Sequence, residues 1–202
     1  MKVKFGKTTL RINISFAAAV TLSLILDESG LCAAALFCCV IHELGHIICL
    51  LIMGENPGLV ELSFYGIKLE RQGASGIGSF GEIIIHASGP TANFVLSALL
   101  FVCGDSSEIR TAATISFCVG VFNLLPCQPL DGGNILYYLL CRRMSEEKCG
   151  KICFCVSCVM IAPMSAAGLV VLVNSGNIPL IAVSVYLAAA AISNKKEKNI
   201  KI

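Results

Sequence analysis

The stretch "LCAAALFCCVIHELGHIICLLIM", residues 31–53, decides how the chain folds, because it is long and apolar enough to cross a membrane as one helix. It carries His42, Glu43 and His46 near its middle. Ionisable groups at that depth cost about 2.5–3.5 kcal/mol each on insertion scales, so a plain membrane anchor would be expected to lack them. The stretch therefore predicts a membrane helix that contains a functional site.

The composition of the whole chain indicates an integral membrane protein. Its 202 residues are 56% hydrophobic and 14% charged, whereas a soluble domain is roughly 45–50% apolar and about 25% charged. The formal net charge of +2 is small and dispersed. It therefore gives no indication of a nucleic-acid partner.

Several further apolar runs are candidates for membrane-spanning helices. Together with the first stretch they predict an α-helical polytopic membrane protein of about six transmembrane helices. The segment "LVELSFYGIKLER" partly alternates apolar and polar residues, and glycines follow it. It predicts a small β-hairpin at the cytoplasmic face. The predicted spans are Ile12 to Leu26, Leu31 to Met53, Glu82 to Cys103, Ile109 to Leu125, Lys151 to Val173, and Ile178 to Ser193.

The distribution of basic residues predicts the orientation. With a cytoplasmic N-terminus, every Lys and Arg except Arg110 falls in a cytoplasmic loop or terminus. Because cytoplasmic loops carry an excess of Lys and Arg, we expect a multi-pass protein of the cell membrane with both termini in the cytoplasm. The second span then places "HELGH" in its inner half or near its middle. The site is therefore expected to face the cytoplasm.

The motif "HELGH" has the spacing of a zinc site. On a helix, His42 and His46 project from one face, where two imidazole nitrogens can bind one Zn²⁺. Glu43 is then placed to take a proton from a bound water. A catalytic zinc needs a third protein ligand.

Two residues outside this motif are candidates for the third ligand. His86 lies in "EIIIHASGP", and Asp131 lies in "FNLLPCQPLDGG". In the second segment two prolines stop the helix and two glycines permit a tight turn, so a carboxylate sits on irregular backbone at the membrane. Such backbone is tolerated there only where it is buried in protein or lines a polar cavity. We interpret His86 as a polar interior residue near the interface.

The twelve cysteines invite a disulfide or metal interpretation. Nearly all lie within predicted spans or on the predicted cytoplasmic side, where thiols stay reduced. The densest set, "CGKICFCVSC", enters a predicted span and is interpreted as small apolar filler. We predict no disulfides and no cysteine metal site.

Three motifs together carry a family resemblance. "HELGH", "SGPTANF" and "NLLPCQPLDGG" occur in this order between residues 31 and 143, and the set resembles the site-2 protease family of intramembrane zinc metalloproteases, the M50 peptidases. The resemblance implies one zinc per chain, held by His42, His46 and Asp131, with Glu43 as the general base. It also suggests that Asn123 and Asn93 help shape the site. Asn123 is a candidate oxyanion donor or a helix-packing amide, and for Asn93 we favour hydrogen bonds across helices.

The resemblance also implies an activity. The expected enzyme is a zinc metalloendopeptidase of the site-2 type that cleaves membrane-protein substrates in or near their transmembrane segments. We expect residues 1–202 to form a single membrane-embedded metalloprotease domain without a PDZ or CBS domain. The layout is most similar to the stage IV sporulation protein FB branch, which processes a membrane-tethered pro-sigma factor. The lipid bilayer and a regulatory membrane partner are further expected partners.

Two other function classes stay open on the sequence. A catalytically inactive module of the same fold would bind membrane clients, although the intact Glu43 argues against it. A metal permease would need polar groups along the whole path, and the outer halves of the spans offer almost none.

Overall fold

The fold is described from a computed structural model of the chain, which describes residues 2–5, 8–12, 20–21, 24–25, 27, 29–55, 57–63, 66–71, 77–176 and 178–200. The regular elements within these ranges are helices and a small sheet. The strands are β1 (Lys2–Phe5), β2 (Thr8–Ile12), β3 (Pro57–Ser63) and β4 (Gly66–Arg71). The helices are α1 (Leu31–Ile52), α2 (Ser79–Cys103), α3 (Ser107–Asn123), α4 (Asp131–Cys141), α5 (Glu146–Ser175) and α6 (Pro179–Ile200).

The strands form one four-stranded sheet in the order β1-β2-β3-β4. β1 and β2 pair antiparallel, β2 and β3 pair parallel, and β3 and β4 pair antiparallel. β3 and β4 cover the segment for which a hairpin is predicted. The cytoplasmic location of this hairpin stays a prediction.

Helix α1 begins with a capping carboxylate. Asp27 Oδ2 accepts hydrogen bonds from the backbone N–H groups of Cys32 at 2.8 Å and Ala33 at 3.3 Å. These donors are among the four that have no partner within a helix. Asp27 Oδ1 also accepts a hydrogen bond from the Ser29 hydroxyl at 2.7 Å, and chiefly this bond holds the pKa of Asp27 below its usual value. The start of the helix that carries "HELGH" is thereby defined.

The chain divides into two compact units, of which the first comprises Met1–Gly78 and Ser88–Val121. In this unit the fully buried Asn93 of α2 donates from Nδ2 to the carbonyls of Cys38 in α1 and Ser116 in α3, both at 3.4 Å. The Ser116 hydroxyl donates back to the Asn93 carbonyl at 2.9 Å. A Cβ on Gly45 would lie only 2.7 Å from the Ser88 carbonyl oxygen, so α1 and α2 are in backbone contact there. These contacts confirm the cross-helix hydrogen bonding predicted for Asn93.

The second unit comprises Ser79–Ala87 and Phe122–Ile202. Its buried apolar core joins the α3–α4 connection to α5 and α6. Gly168 of α5 lies against the backbone of Ile181 in α6, so a Cβ on this glycine would be 2.9 Å from the Ile181 nitrogen. The buried residues of this core are Cys127, Leu130, Ile161, Leu187 and Ala191.

Three of the helices in the described part of the chain, α1, α2 and α5, are long and apolar enough to cross a membrane by length and composition. Helices α3 and α6 coincide with two further predicted spans, but α3 has 17 residues, and the apolar part of α6, Pro179–Ser193, is also short. Most of the predicted first span, Ile12 to Leu26, lies outside the described residues. That six helices cross the membrane therefore stays a prediction. The predicted single domain is likewise untested.

Candidate metal centre

The two histidines of "HELGH" lie side by side on α1. The Nε2 atoms of His42 and His46 are 3.2 Å apart, and both side chains are buried. Two nitrogens bound to one tetrahedral zinc at roughly 2.0–2.1 Å would be about 3.3 Å apart. The helical spacing of four residues therefore brings both imidazoles to the separation that a shared zinc requires.

Helix α2 closes one side of this histidine pair at a glycine. A Cβ on Gly89 would lie 2.8 Å from Cε1 of His42, and it would also meet the ring of His46. Ser88 Oγ lies 3.4 Å from His46 Nδ1, on the opposite edge of the ring from the Nε2 pair. The absence of a side chain at residue 89 is thus what leaves room for both imidazoles.

The two predicted catalytic residues lie on different helices. Glu43, next to His42 on α1, is half-buried, as is Asn123, the last residue of α3. A half-buried carboxylate beside a metal site can exchange protons with a reacting water, which is what a general base requires. Their catalytic roles stay predictions.

Asp131 is presented by a bent connection between α3 and α4. It is the first residue of α4 and is 9% exposed. Free backbone N–H groups and the helix dipole at this end of a helix stabilise a carboxylate. Gly132 and Gly133 follow, and a Cβ on Gly133 would be 2.6 Å from the Cys127 carbonyl oxygen. The paired glycines therefore allow the start of α4 to fold tightly against the connection, as their sequence predicts.

A buried hydrogen bond from α5 holds this connection. The backbone N–H of Gln128 donates to Ser157 Oγ at 2.9 Å, and Ser157 itself donates to the Cys153 carbonyl at 2.8 Å. Both Gln128 and Ser157 are buried. Since an unpaired buried N–H is costly, Ser157 helps to fix the irregular backbone that precedes Asp131.

His86 lies beside Asp131. Its Nδ1 is 2.9 Å from Asp131 Oδ1, and its ring stacks on Tyr138 with the ring centroids 6.0 Å apart. The sequence reveals neither contact, because His86 and Asp131 are far apart along the chain.

His42, His46 and Asp131 form the predicted ligand group, and all three side chains are buried. Two imidazoles and one carboxylate are a common ligand set for catalytic zinc. The chemistry of this ligand set is consistent with one zinc.

The cysteines play no part in this group. All twelve are described and carry free thiols. In the "CGKICFCVSC" segment, Cys149 and Cys153 are buried, while Cys155 and Cys158 are exposed on the same helix. Their interpretation as small apolar filler stays a prediction.

Comparison with known proteins gives three findings. The Peptidase family M50 model matches residues 106–164, which include the α3–α4 connection and Asp131. A zinc metalloprotease of Methanocaldococcus jannaschii is 28% identical over 165 residues, which are 73% of this chain and 44% of that protein. The solved structure of a site-2 protease from Methanocaldococcus jannaschii superposes with a TM-score of 0.71 at 23% identity, covering 96% of this chain and 94% of that one. Residues 106–164 therefore resemble the M50 family, and the site-2 protease structure shows the fold of the chain.

Both curated relatives are longer than the part that this chain matches. A second curated relative, from Synechocystis sp., is 31% identical over 115 residues, which are 52% of this chain and 30% of that protein. The chain thus spans less than half the length of either curated relative. The activity, substrates and partners of the whole relatives therefore enter only as proposals for this chain.

Proposed function

We propose that this chain is an intramembrane zinc metalloprotease, a metalloendopeptidase of the site-2 type. One observation carries the proposal: the buried imidazoles of His42 and His46, 3.2 Å apart at Nε2, flank Glu43 in sequence on a helix apolar enough to cross a membrane. The cost of placing three ionisable groups there requires a use for them. Among metal sites, this motif is typical of zinc peptidases.

We assign the zinc ligands as His42, His46 and Asp131. When bound, zinc supplies a Lewis acid that polarises a peptide carbonyl and lowers the pKa of a water molecule. The histidine pair offers its Nε2 atoms, and Asp131 offers a carboxylate oxygen. Three protein ligands leave one position for the reaction.

We assign Glu43 as the general base. Its carboxylate takes a proton from the attacking water and returns it to the leaving amine, so the group ends the cycle in its starting state. A glutamate can perform this transfer from the position next to the first ligand. Asn123 is assigned as a donor to the developing oxyanion, because an amide N–H at the end of α3 can stabilise negative charge there.

The expected substrates are membrane-tethered proteins cleaved in or near their transmembrane segments. A buried site on an apolar helix is accessible to such segments, and the bilayer is the expected surrounding. The sporulation branch and a pro-sigma factor substrate are the narrower form of this proposal, supported by the compact arrangement of the three motifs.

Replacement of Glu43 by Gln tests the catalytic role. Glu43→Gln should lower the rate of cleavage of a model transmembrane substrate in proteoliposomes by about 10²–10⁴-fold, because the general base is lost. Zinc content should be unchanged, since Glu43 is not a ligand. Glu55→Gln, just after the same helix, is the matched control and should cleave at the wild-type rate. If Glu43→Gln cleaves the substrate as fast as wild type, Glu43 is not the general base.

The same assay separates the protease from an inactive binding module. A module that only holds membrane clients would retain the substrate without cleaving it, in wild type and variant alike. Wild-type protein that carries zinc, binds the substrate and produces no cleavage would favour that second candidate.

We further propose that both termini and the active site face the cytoplasm. The bias of Lys and Arg toward one side supports this orientation. Reporter fusions at the C-terminus and in the α2–α3 loop, at Asp105, should report the cytoplasm and the opposite side, respectively. The reverse pattern would contradict the orientation.

A further inference from the structure

We propose that His86 is the positioning residue for Asp131: its Nδ1–H donates to Asp131 Oδ1 and fixes the carboxylate so that its second oxygen serves the metal. The inference rests on the proposed function, because it presumes that Asp131 is a zinc ligand. It starts from the 2.9 Å distance between His86 Nδ1 and Asp131 Oδ1.

The direction of the hydrogen bond follows from the chemistry of the acceptor. An ionised carboxylate only accepts hydrogen bonds, so the proton between the two atoms belongs to His86 Nδ1. Hydrogen bonds from nitrogen to an ionised oxygen are shorter and stronger than neutral ones. The pair is also sheltered, because the side chains of His86 and Asp131 are 24% and 11% exposed. Water therefore competes little for this contact.

A second contact fixes the imidazole itself. The ring of His86 stacks on Tyr138, with ring centroids 6.0 Å apart and an angle of 23° between the planes. Tyr138 lies seven residues after Asp131 on α4, so both side chains project from one face of that helix. His86 thus contacts α4 at two points. One contact orients the ring, and the other orients the carboxylate.

Two other roles for His86 make different predictions. If His86 were itself a metal ligand, any substitution that removes the imidazole would weaken zinc binding. If it were only a packing residue, the loss of its donor would leave zinc affinity unchanged. Asn and Leu separate these roles, because they are nearly the same size and only Asn keeps an N–H donor close to the position of Nδ1.

The experiment measures zinc affinity on the purified full-length chain in detergent, by competition with a chromophoric chelator. His86→Leu should bind zinc about 10–100-fold more weakly than wild type, the range found when a partner of a metal ligand is removed. His86→Asn should restore most of this loss. Wild-type affinity in His86→Leu would overturn the proposal, and an equal loss in both variants would also overturn it.

A second measurement is made on the wild-type protein, and a variant serves only to assign its resonances. The chain has three histidines, so the ¹⁵N spectrum of histidine-labelled, zinc-loaded protein contains three imidazoles, and His86→Asn identifies the resonances of His86. We expect its Nδ1 to carry a proton. A bare Nδ1 on His86 would contradict the proposed donor.

The two proposals can fail separately. Wild-type protein that binds no zinc would remove the proposed function and this inference with it. Wild-type protein that binds zinc tightly, together with a His86→Leu variant that binds it equally well, would remove only the role of His86.

Discussion

At the scale of single residues, the metal site depends on how closely two imidazole rings can approach a neighbouring helix. Gly89 is the residue that permits this approach, because even a methyl group at its position would overlap both rings. Close packing leaves no room for them to move aside without cost. The position of His42 and His46 is therefore sensitive to a residue that has no side chain.

Replacement of Gly89 by Ala tests this dependence. The added Cβ should displace the imidazoles. We expect the rate of cleavage to fall by about 100-fold, because even a small misplacement of a catalytic group slows a reaction by this factor. Zinc affinity, measured by chelator competition, should fall as well. Gly150→Ala is the matched control, since a Cβ there meets nothing within 4 Å. Normal zinc binding and cleavage by Gly89→Ala would show that the rings are not confined.

The sequence predicts some of these residues and not others. The spacing of His42 and His46 predicts that they share a helix face, because helical periodicity is local. The contacts of Gly89 and His86 depend on which helices pack together. A glycine in "SGP" and a lone histidine carry no such information in one sequence. Each is explained only once its neighbours in space are known.

At the scale of elements, the connection between α3 and α4 decides where Asp131 lies. Its buried Gln128 N–H depends on the hydroxyl of Ser157 in α5. Ser157 is fully buried, so water cannot replace it. The element that carries the proposed third ligand is therefore held in place by a helix that contributes no ligand.

Replacement of Ser157 by Ala should destabilise the fold. The buried Gln128 N–H would lose its acceptor, and we expect a loss of about 1–3 kcal/mol in the free energy of unfolding. Ser175→Ala on the same helix is the matched control, because Ser175 also donates to a carbonyl four residues earlier but is exposed, and it accepts no such bond from the described residues. Denaturant unfolding in detergent compares the two. Equal stability of both variants would show that the Gln128 contact contributes nothing.

The boundaries of the apolar helices were largely predictable, and the sheet was not. The predicted span Leu31 to Met53 corresponds to α1, Leu31–Ile52, because an apolar run ends where polar residues begin. The sequence pattern does not predict strands β1 and β2. Each is short, and β2 pairs with the distant β3 in parallel, so no local pattern indicates the pairing.

At the scale of the whole molecule, an apolar chain carries buried histidines on one of its longest apolar helices. Within the described residues, α1, α2 and α5 are long and apolar enough to cross a membrane, and α1 carries the histidine pair. The similarity to zinc metalloproteases and the chemistry of the three predicted ligands both indicate zinc as the metal. Length and composition alone, however, could not determine how many of the remaining helices cross the bilayer.

The most direct test of the central claim is the zinc content of purified full-length protein, measured by mass spectrometry beside the Asp131→Asn variant. We predict one zinc per wild-type chain and a large loss of zinc in Asp131→Asn, because the amide is a poorer ligand than the carboxylate. Wild-type protein that cleaves substrate without bound metal, or an Asp131→Asn variant that retains zinc as tightly as wild type, would contradict the account.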